Sequence, residues 1–421
     1  MAMQVLLAAA NEPWETAVVR ALQRPESGMR LVRRCMDVAD AVATAASGQA
    51  DAVLLSAGLR GLDTDVLARL VDAGAEPVVI TDPDDSTTAM RVARMGATSV
   101  LSWREVGSVP QLVTASAAWR HNRALTTSAA GDDTFGSVPD EGTLGRMVVV
   151  WGPTGAPGRS TVALGVAASC ADRGLSTLLI DADVYGGALS SMLAMLDEVS
   201  GVLAAARLAN TGSMDLPALQ QQVRELGPSL HVLTGLPRAD RWPQLRPGAL
   251  GQILYTARTM ARLVVVDCGF GLEQEEELSY DTAAPRRNGA TLLALERADR
   301  VLVVGSADPV GLTRLARGLL DLREAVPGVD AAIVVNRMRS TLGWSRADVS
   351  ELLERFTGST PLAYLPEDRA AVDHALVEGK TLVECAPKSP LAQALDALAA
   401  EVTRLPAGSG RRRRPWRREH V

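Results

Sequence analysis

The feature that most constrains this chain is a glycine-rich turn between a short apolar run and a helix-forming segment. The apolar run is Met147–Trp151, the turn is residues 152–158 (GPTGAPG), and Arg159 and Ser160 open the next segment. A turn placed there wraps backbone N–H groups around a phosphate, and the positive end of the helix dipole faces the same anion. Glycine suits it because the chain turns tightly and approaches the anion closely. The turn therefore predicts a phosphate-binding loop.

The loop departs at two positions from the usual phosphate-loop pattern GxxxxGK[ST]. Gly158 and Ser160 fit the pattern, whereas Pro153 stands at the first glycine and Arg159 stands at the lysine. Only two of the 43 basic residues are lysines, so an arginine here agrees with a general preference of this chain. The arginine fork is nevertheless bulkier than an ammonium group. We therefore expect phosphate binding to survive better than efficient hydrolysis.

Other apolar runs deliver carboxylates and complete an α/β pattern. Asp181 and Asp183 follow one run, and Asp267 ends another. Ligands gather at the carboxyl ends of parallel strands, so these acids would converge on the loop, where Ser160 and an acid such as Asp267 would hold Mg²⁺. The predicted strands of this block are Met147–Trp151, Thr177–Ile180, Leu230–Leu233, Leu263–Asp267, Arg300–Gly305, Ala331–Asn336 and Pro361–Leu365.

These motifs, in this order, resemble those of the MinD/ParA family of P-loop ATPases. The resemblance covers roughly residues 146–404 and extends to five segments. They are the phosphate loop at 154–161 (TGAPGRST, against the family's KGGxGK[ST]T), two switch segments at 181–183 and 267–271, and two base-side segments at 334–337 and 365–368. The family has a doubly wound P-loop NTPase fold, which we expect here.

The resemblance also implies the roles of individual residues. The residues implied to bind ATP are Gly155, Ala156, Pro157, Gly158, Arg159, Ser160, Thr161, Asn336, Arg337 and Pro366. The residues implied to hold Mg²⁺ are Ser160, Asp181 and Asp267. If ATP is hydrolysed, Asp183 would orient the attacking water and Arg159 would contact the phosphates. Thr154 occupies the position of the family's signature lysine, which reaches across an ATP-bound dimer to the partner's phosphates.

The spacing Asp-x-Asp-x-x-Gly at residues 181–186 is similar to the CpaE/TadZ branch of the family. Within that branch the chain resembles actinobacterial CpaE-like septum-site determining proteins. This implies an ATP-binding positioning protein that regulates septum-site placement and cell division, or localises pilus or secretion machinery, as a nucleotide-dependent homodimer. Two alternatives stay open: a nucleotide-independent pseudo-ATPase scaffold, and a ParA-like DNA-partitioning ATPase.

Residues 1–123 form a separate block of five βα-type units. Its predicted strands are Gln4–Ala9, Met29–Arg33, Ala52–Leu55, Pro77–Thr81 and Ser99–Leu101. This alternation predicts a flavodoxin-like sheet and resembles a response-regulator receiver domain. A working receiver needs an acidic pair after its first strand and an acceptor aspartate after its third. Because Ala10, Asn11 and Ser56 stand there, we expect a pseudo-receiver that docks proteins and carries no aspartyl phosphate.

The remaining segments predict a linker and a tail. Residues 124–145 are small, polar and acidic, as is typical of a flexible linker, so the P-loop domain would span 146–405. Residues 406–421 form a basic tail, in which Arg411–Arg418 carries six arginines. A solvated tail is the simplest interpretation; an anionic membrane surface is the better of its two candidate ligands, and DNA is not an expected partner. The scattered cysteines favour the reducing cytoplasm, with peripheral contact at the inner face of the membrane.

Overall fold

The computed structural model describes residues 2–115, 144–195, 199–273 and 285–403. These residues form two compact units, one around each of two sheets. Helices alternate with mainly parallel strands in both, which confirms the predicted α/β class. The predicted tail and all of the predicted linker except Leu144 and Gly145 lie outside the described residues. No helix within the described ranges is long and apolar enough to cross a membrane.

The first unit contains a parallel sheet of five strands in the order β2-β1-β3-β4-β5. The strands are β1 (Met3–Ala8), β2 (Met29–Cys35), β3 (Ala52–Ser56), β4 (Glu76–Thr81) and β5 (Ser99–Ser102). This is the flavodoxin-like order. All five predicted strands are confirmed, with ends that differ by one or two residues. Apolar side chains cover both faces of the sheet, which explains the near-continuous apolar runs of its strands.

Short capped helices connect these strands. They are α1 (Glu15–Leu22), α2 (Val38–Ala46), α3 (Thr64–Asp72) and α4 (Ser86–Arg94). Three of them begin at an aspartate whose carboxylate accepts a backbone N–H of the first turn: Asp37, Asp63 and Asp85. The bond from the Thr88 N–H lowers the pKa of Asp85. The acidic loop at 82–85 therefore ends in a helix cap.

The second unit contains an eight-stranded sheet in the order β13-β12-β11-β6-β10-β7-β9-β8. Its strands are β6 (Arg146–Trp151), β7 (Thr177–Ala182), β8 (Arg224–Gly227), β9 (Leu230–Leu233), β10 (Leu263–Cys268), β11 (Arg300–Ser306), β12 (Ala331–Met338) and β13 (Ala363–Pro366). Every predicted strand of this block is confirmed. The sequence missed β8, an antiparallel edge strand with the short sequence RELG, because it has almost no apolar pattern.

Helices follow most of these strands and supply the rest of the core. They are α5 (Arg159–Asp172), α6 (Leu189–Met192), α7 (Gly201–Asn210), α8 (Leu216–Gln220), α9 (Pro247–Met260), α10 (Gly289–Glu296), α11 (Pro309–Ala325), α12 (Arg346–Thr357), α13 (Arg369–Glu378), α14 (Leu382–Cys385) and α15 (Pro390–Thr403). Helix α5 is apolar almost all round and packs on α15 and on the central strands. Its N-terminus is therefore held rigidly at the edge of the sheet.

The topology places one crevice at the carboxyl end of β6. The chain continues from β6 through α5 to β7, on the side of β10, whereas β11 flanks β6 on its other side. Loops that leave neighbouring strands in opposite directions open a gap above the sheet, and ligands of doubly wound proteins bind in such gaps. The phosphate loop lies at this position.

The close packing of α5 on α15 depends on Gly165. A Cβ atom at residue 165 would lie 3.1 Å from Cγ of Leu395 and closer still to its methyl groups. We expect Gly165→Val to destabilise the protein by about 2 kcal/mol through overpacking, measured as a lower urea midpoint. Leu395→Ala in the same chain removes the clash, so the double variant should lose clearly less than the sum of the single losses. Ala397→Val, on the exposed face of α15, is the control; additive losses would contradict this packing.

Candidate nucleotide-binding site

The phosphate loop leaves β6 as a tight turn with an uncapped helix behind it. Gly152 lies so close to the Val304 carbonyl that a Cβ atom would overlap it, and Gly155 and Gly158 have φ angles of +74° and +88°. Gly158 is the N-cap of α5 and offers no side-chain cap, in contrast to the aspartates that cap α2, α3 and α4. The N–H groups of the first turn of α5 therefore remain available to an anion.

Predicted loop residues differ in what they offer such an anion. The N–H of Ala156 is used within the turn, since it donates to the Pro153 carbonyl at 2.9 Å. Pro157 has no N–H at all. Arg159, Ser160 and Thr161 form the first turn of α5, where both the free N–H groups and two hydroxyls lie. The helix end, more than the preceding turn, supplies the donors of this loop.

Arg159 is held by a partner of opposite charge. Its Nη2 lies 3.5 Å from Oδ2 of Asp183, and Nη1 donates to the Gly152 carbonyl at 3.4 Å. Its guanidinium carbon lies 5.9 Å from the ring centroid of Phe270. Arg159 and Asp183 are both largely buried, so their attraction is weakly screened by solvent. Asp183 would therefore compete with a bound phosphate for the charge of Arg159.

Residues in and next to the two predicted switch segments form an aromatic and polar cluster, which the sequence did not predict. The rings of Tyr185 and Phe270 lie 4.4 Å apart, and the Arg287 guanidinium lies 4.0 Å from the Tyr185 ring centroid. The Tyr185 hydroxyl donates to Oδ1 of Asn288 at 2.7 Å, and Asn288 donates to the Glu273 carbonyl at 2.9 Å. No motif marks Asn288, which lies 103 residues from Tyr185 in the chain.

Asp267 is a buried carboxylate at the end of β10, next to the hydroxyl of Ser160. It pairs in register with Asp181 across β10 and β7, and neither of its oxygens has a hydrogen bond of normal geometry among the described residues. Burial raises the pKa of Asp267 well above its ordinary value, and the charge of Asp181 adds to this rise; Ser160 and Arg159 oppose it. An unpaired buried carboxylate beside a serine hydroxyl fits a divalent cation such as Mg²⁺.

Asp181, unlike Asp267, is hydrogen-bonded to the loop that follows its strand. Its carboxylate accepts backbone N–H bonds from Asp183 and Leu189, both at 3.2 Å. The backbones of Gly187 and Gly235 enclose it so closely that side chains there would collide with it. Burial raises the pKa of Asp181 to about 7 despite these bonds. Its predicted role as a metal ligand stays a prediction, since its oxygens already bind the loop.

The base-side segments reach the phosphate loop directly. The Asn336 amide donates to the Pro157 carbonyl at 2.9 Å, and Asn336 pairs in register with Ser306 of β11. Arg337 follows with a φ of +57°, a left-handed conformation that is uncommon for a side chain of its size. Pro366 ends β13, immediately before Glu367 on the wall of a cavity of about 420 Å³. Of the predicted base-side residues, Arg337 lines this cavity, and Asn336 and Pro366 each precede a residue that lines it.

The first unit has different side chains at the carboxyl end of its sheet. At the carboxyl end of β3, the Ser56 hydroxyl donates to a carboxylate oxygen of Glu12 at 2.7 Å. No motif marks Glu12, which lies one residue beyond Asn11, where the chain turns with a φ of +60°. Ser56 therefore occupies the expected acceptor position with its hydroxyl already hydrogen-bonded.

The buried charge of Asp267 predicts a pH-dependent stability in buffer that contains EDTA and no nucleotide. An acid whose pKa is raised by folding does not destabilise the folded state at low pH. It lowers the free energy of unfolding progressively as the pH rises above 3.8, the ordinary pKa of an aspartate. Asp267→Asn should therefore raise the melting temperature, by about 4 °C at pH 8 and by less at pH 5. Asp321→Asn, on the exposed part of α11, should change neither value. A gain equal at both pH values would contradict the buried charge.

Comparison with solved structures shows the fold of about 60% of the chain. No family model and no curated protein matches it. It is similar to a ParA family ATPase from Chlorobium tepidum TLS, with a TM-score of 0.51, 19% identity and coverage of 60% of this chain and 98% of that one. It also matches the cell division ATPase MinD of Pyrococcus furiosus, with a TM-score of 0.48, 23% identity and coverage of 62% and 100%. The chain therefore contains the α/β fold of a ParA-type P-loop ATPase.

Proposed function

We propose that this chain is a MinD/ParA-type ATP-binding protein that positions other cellular machinery. The observation that carries the proposal is the uncapped N-terminus of α5, which lies beside the guanidinium of Arg159 and the unpaired buried carboxylate of Asp267. The first two groups suit an anion, and the third suits a cation. A nucleoside triphosphate with Mg²⁺ supplies both charges in one ligand.

Mg²⁺ would be held by Ser160 and Asp267, with Asp181 as the further predicted ligand. Bound there, the ion would neutralise part of the phosphate charge, as it does in P-loop ATPases generally. Among the described residues, neither oxygen of Asp267 has a hydrogen bond of normal geometry, which supports this assignment, because a poorly hydrogen-bonded buried carboxylate is costly to keep.

Hydrolysis would be slow for a reason that lies in Arg159. Its guanidinium must leave Asp183 to reach a phosphate, and Asp183 must then be free to orient water. The arginine fork is also less well suited than an ammonium group to a cradle of backbone N–H groups. We therefore propose a weak ATPase whose main output is the difference between nucleotide-bound and nucleotide-free forms.

The finer assignment rests on the motif resemblance. On that basis we propose a member of the CpaE/TadZ-like branch that acts in the cytoplasm, as a nucleotide-dependent homodimer, on septal or pilus and secretion proteins. The flavodoxin-like first unit would be a receiver-like docking module, because its β3 edge offers Ser56 bonded to Glu12 and no acceptor aspartate. The segment Arg411–Arg418, which lies outside the described residues, would contact anionic membrane; DNA is not an expected partner.

ATP binding with Mg²⁺ is the first test of this function. We expect isothermal titration calorimetry to detect binding to the full chain, and Arg159→Ala to weaken it at least tenfold, because a charge-assisted contact to phosphate is lost. Arg317→Ala, on the exposed face of α11, is the charge-matched control and should bind as the parent does. Absence of binding by the parent at millimolar ATP would favour the nucleotide-independent scaffold.

Asp183 should act on affinity and hydrolysis in opposite directions. Asp183→Asn keeps the acceptor for the Tyr185 N–H bond, at 2.8 Å, but removes the charge that holds Arg159. We expect ATP affinity to rise about threefold to tenfold and any ATPase rate to fall, as measured by calorimetry and phosphate release. Weaker ATP binding by this variant would show that Asp183 does not compete for Arg159.

A further inference from the structure

We infer that Arg314 is a second cation of the phosphate site and contacts the terminal phosphate of a bound nucleoside triphosphate. The inference rests on the proposed nucleotide-binding function and adds a residue that no sequence motif indicates. Arg314 lies on α11, which follows β11. It is far from the phosphate loop in the sequence, and folding brings the two together.

The side chain of Arg314 lies against the phosphate loop. A Cβ atom at Gly155 would overlap Nη1 of Arg314 and would lie 3.3 Å from its Cζ. Gly155 also has a φ of +74°, so the loop combines a left-handed turn with a close approach to a guanidinium. Arg314 is solvent-exposed on its helix, and its charge is therefore presented beside the loop without being buried.

Arg314 and Arg159 approach the loop from different sides. Arg159 leans towards Asp183 and Phe270, which follow β7 and β10. Arg314 comes from the helix after β11, and β11 lies across β6 from β10 in the sheet. A phosphate chain above the carboxyl end of β6 would therefore meet a guanidinium on each flank. Two flanking cations suit the end of a triphosphate, where negative charge is densest.

The acids beside Arg314 are already engaged. Glu367 pairs with Arg339 at 3.6 Å and with Arg369 at 3.7 Å. Asp308 caps α11 by accepting the Gly311 N–H at 3.0 Å, and it also accepts the Ser306 hydroxyl. Neither carboxylate is within ion-pair distance of Arg314. These acids therefore do not neutralise it.

Two guanidinium groups consequently share the cavity without an acidic partner. Among the described residues, neither Arg314 nor Arg337 has an ion pair, although both line the same cavity of about 420 Å³ beside Gly155. Like charges in one cavity repel, and a phosphate that binds Arg314 reduces that repulsion. A guanidinium binds phosphate strongly because its N–H groups match the phosphate oxygens.

Arg314 also lies where the loop lacks a charge. Thr154, next to Gly155, is uncharged and exposed, so a lysine introduced at residue 154 would place an ammonium group near the position of the Arg314 guanidinium. The Arg314 guanidinium would thus supply the positive charge that a lysine at residue 154 could supply. This equivalence gives a rescue experiment.

The test compares ATP, ADP and AMP binding, each with Mg²⁺, in the parent and in four variants. Arg314→Ala should weaken ATP binding about tenfold and ADP binding less than threefold, and should leave AMP binding unchanged. Arg317→Ala, an exposed arginine one turn further along α11, should behave as the parent. Thr154→Lys in the Arg314→Ala chain should bind ATP at least threefold more tightly than Arg314→Ala does. Thr154→Lys alone shows the effect of that lysine in the parent. Circular dichroism melting curves check that each variant folds.

The outcomes separate this inference from the function on which it rests. If the parent does not bind ATP, both the proposed function and the role of Arg314 are wrong. If the parent binds ATP and Arg314→Ala binds ATP and ADP as tightly, only the role of Arg314 is wrong. An equal loss of ATP, ADP and AMP affinity would overturn the terminal-phosphate contact, as would a loss that Thr154→Lys does not rescue.

Discussion

The free N–H groups at the start of α5 are the constraint on which the site depends. A helix that is buried almost all round, and that begins at a glycine without a side-chain cap, leaves donors at a fixed place above the central strand. The register of β10 and β7 brings Asp267 and Asp181 to the same edge. The fold therefore holds unpaired donors beside an unpaired carboxylate. A ligand that carries anionic oxygens and a metal ion satisfies both.

Arginine chemistry distinguishes this site from one built on lysine. Arg159 is long enough to reach Asp183 and planar enough to lie near the Phe270 ring, so the phosphate loop holds its main cation against a switch carboxylate. Arg314 lies on the other flank of the loop and has no acidic partner among the described residues. To bind phosphate, Arg159 would have to leave Asp183, whereas Arg314 already lines the cavity. Nucleotide binding would then be coupled to movement of the first switch segment.

Local patterns predicted the strands and the loop because these depend on residues close together in the chain. Apolar runs marked every strand except β8, whose sequence RELG is paired at an edge and needs little burial. Sequence could also place Asp267 near Ser160, because parallel strands end at one edge. It could not find Arg314 beside Gly155 or Asn288 beside Tyr185. Those contacts depend on how far a helix or loop leans over the sheet, which no spacing records.

Hydrogen exchange at the first turn of α5 tests the central claim most directly. The claim is that the backbone N–H groups of Arg159, Ser160 and Thr161 bind the phosphates of a nucleotide. Amide exchange would be followed by NMR or mass spectrometry with Mg²⁺, in the absence and presence of saturating ATP. We predict clear slowing at these three amides on addition of ATP, and little change at the Asp-capped start of α3. Unchanged exchange at α5 in a sample that binds ATP would contradict the account.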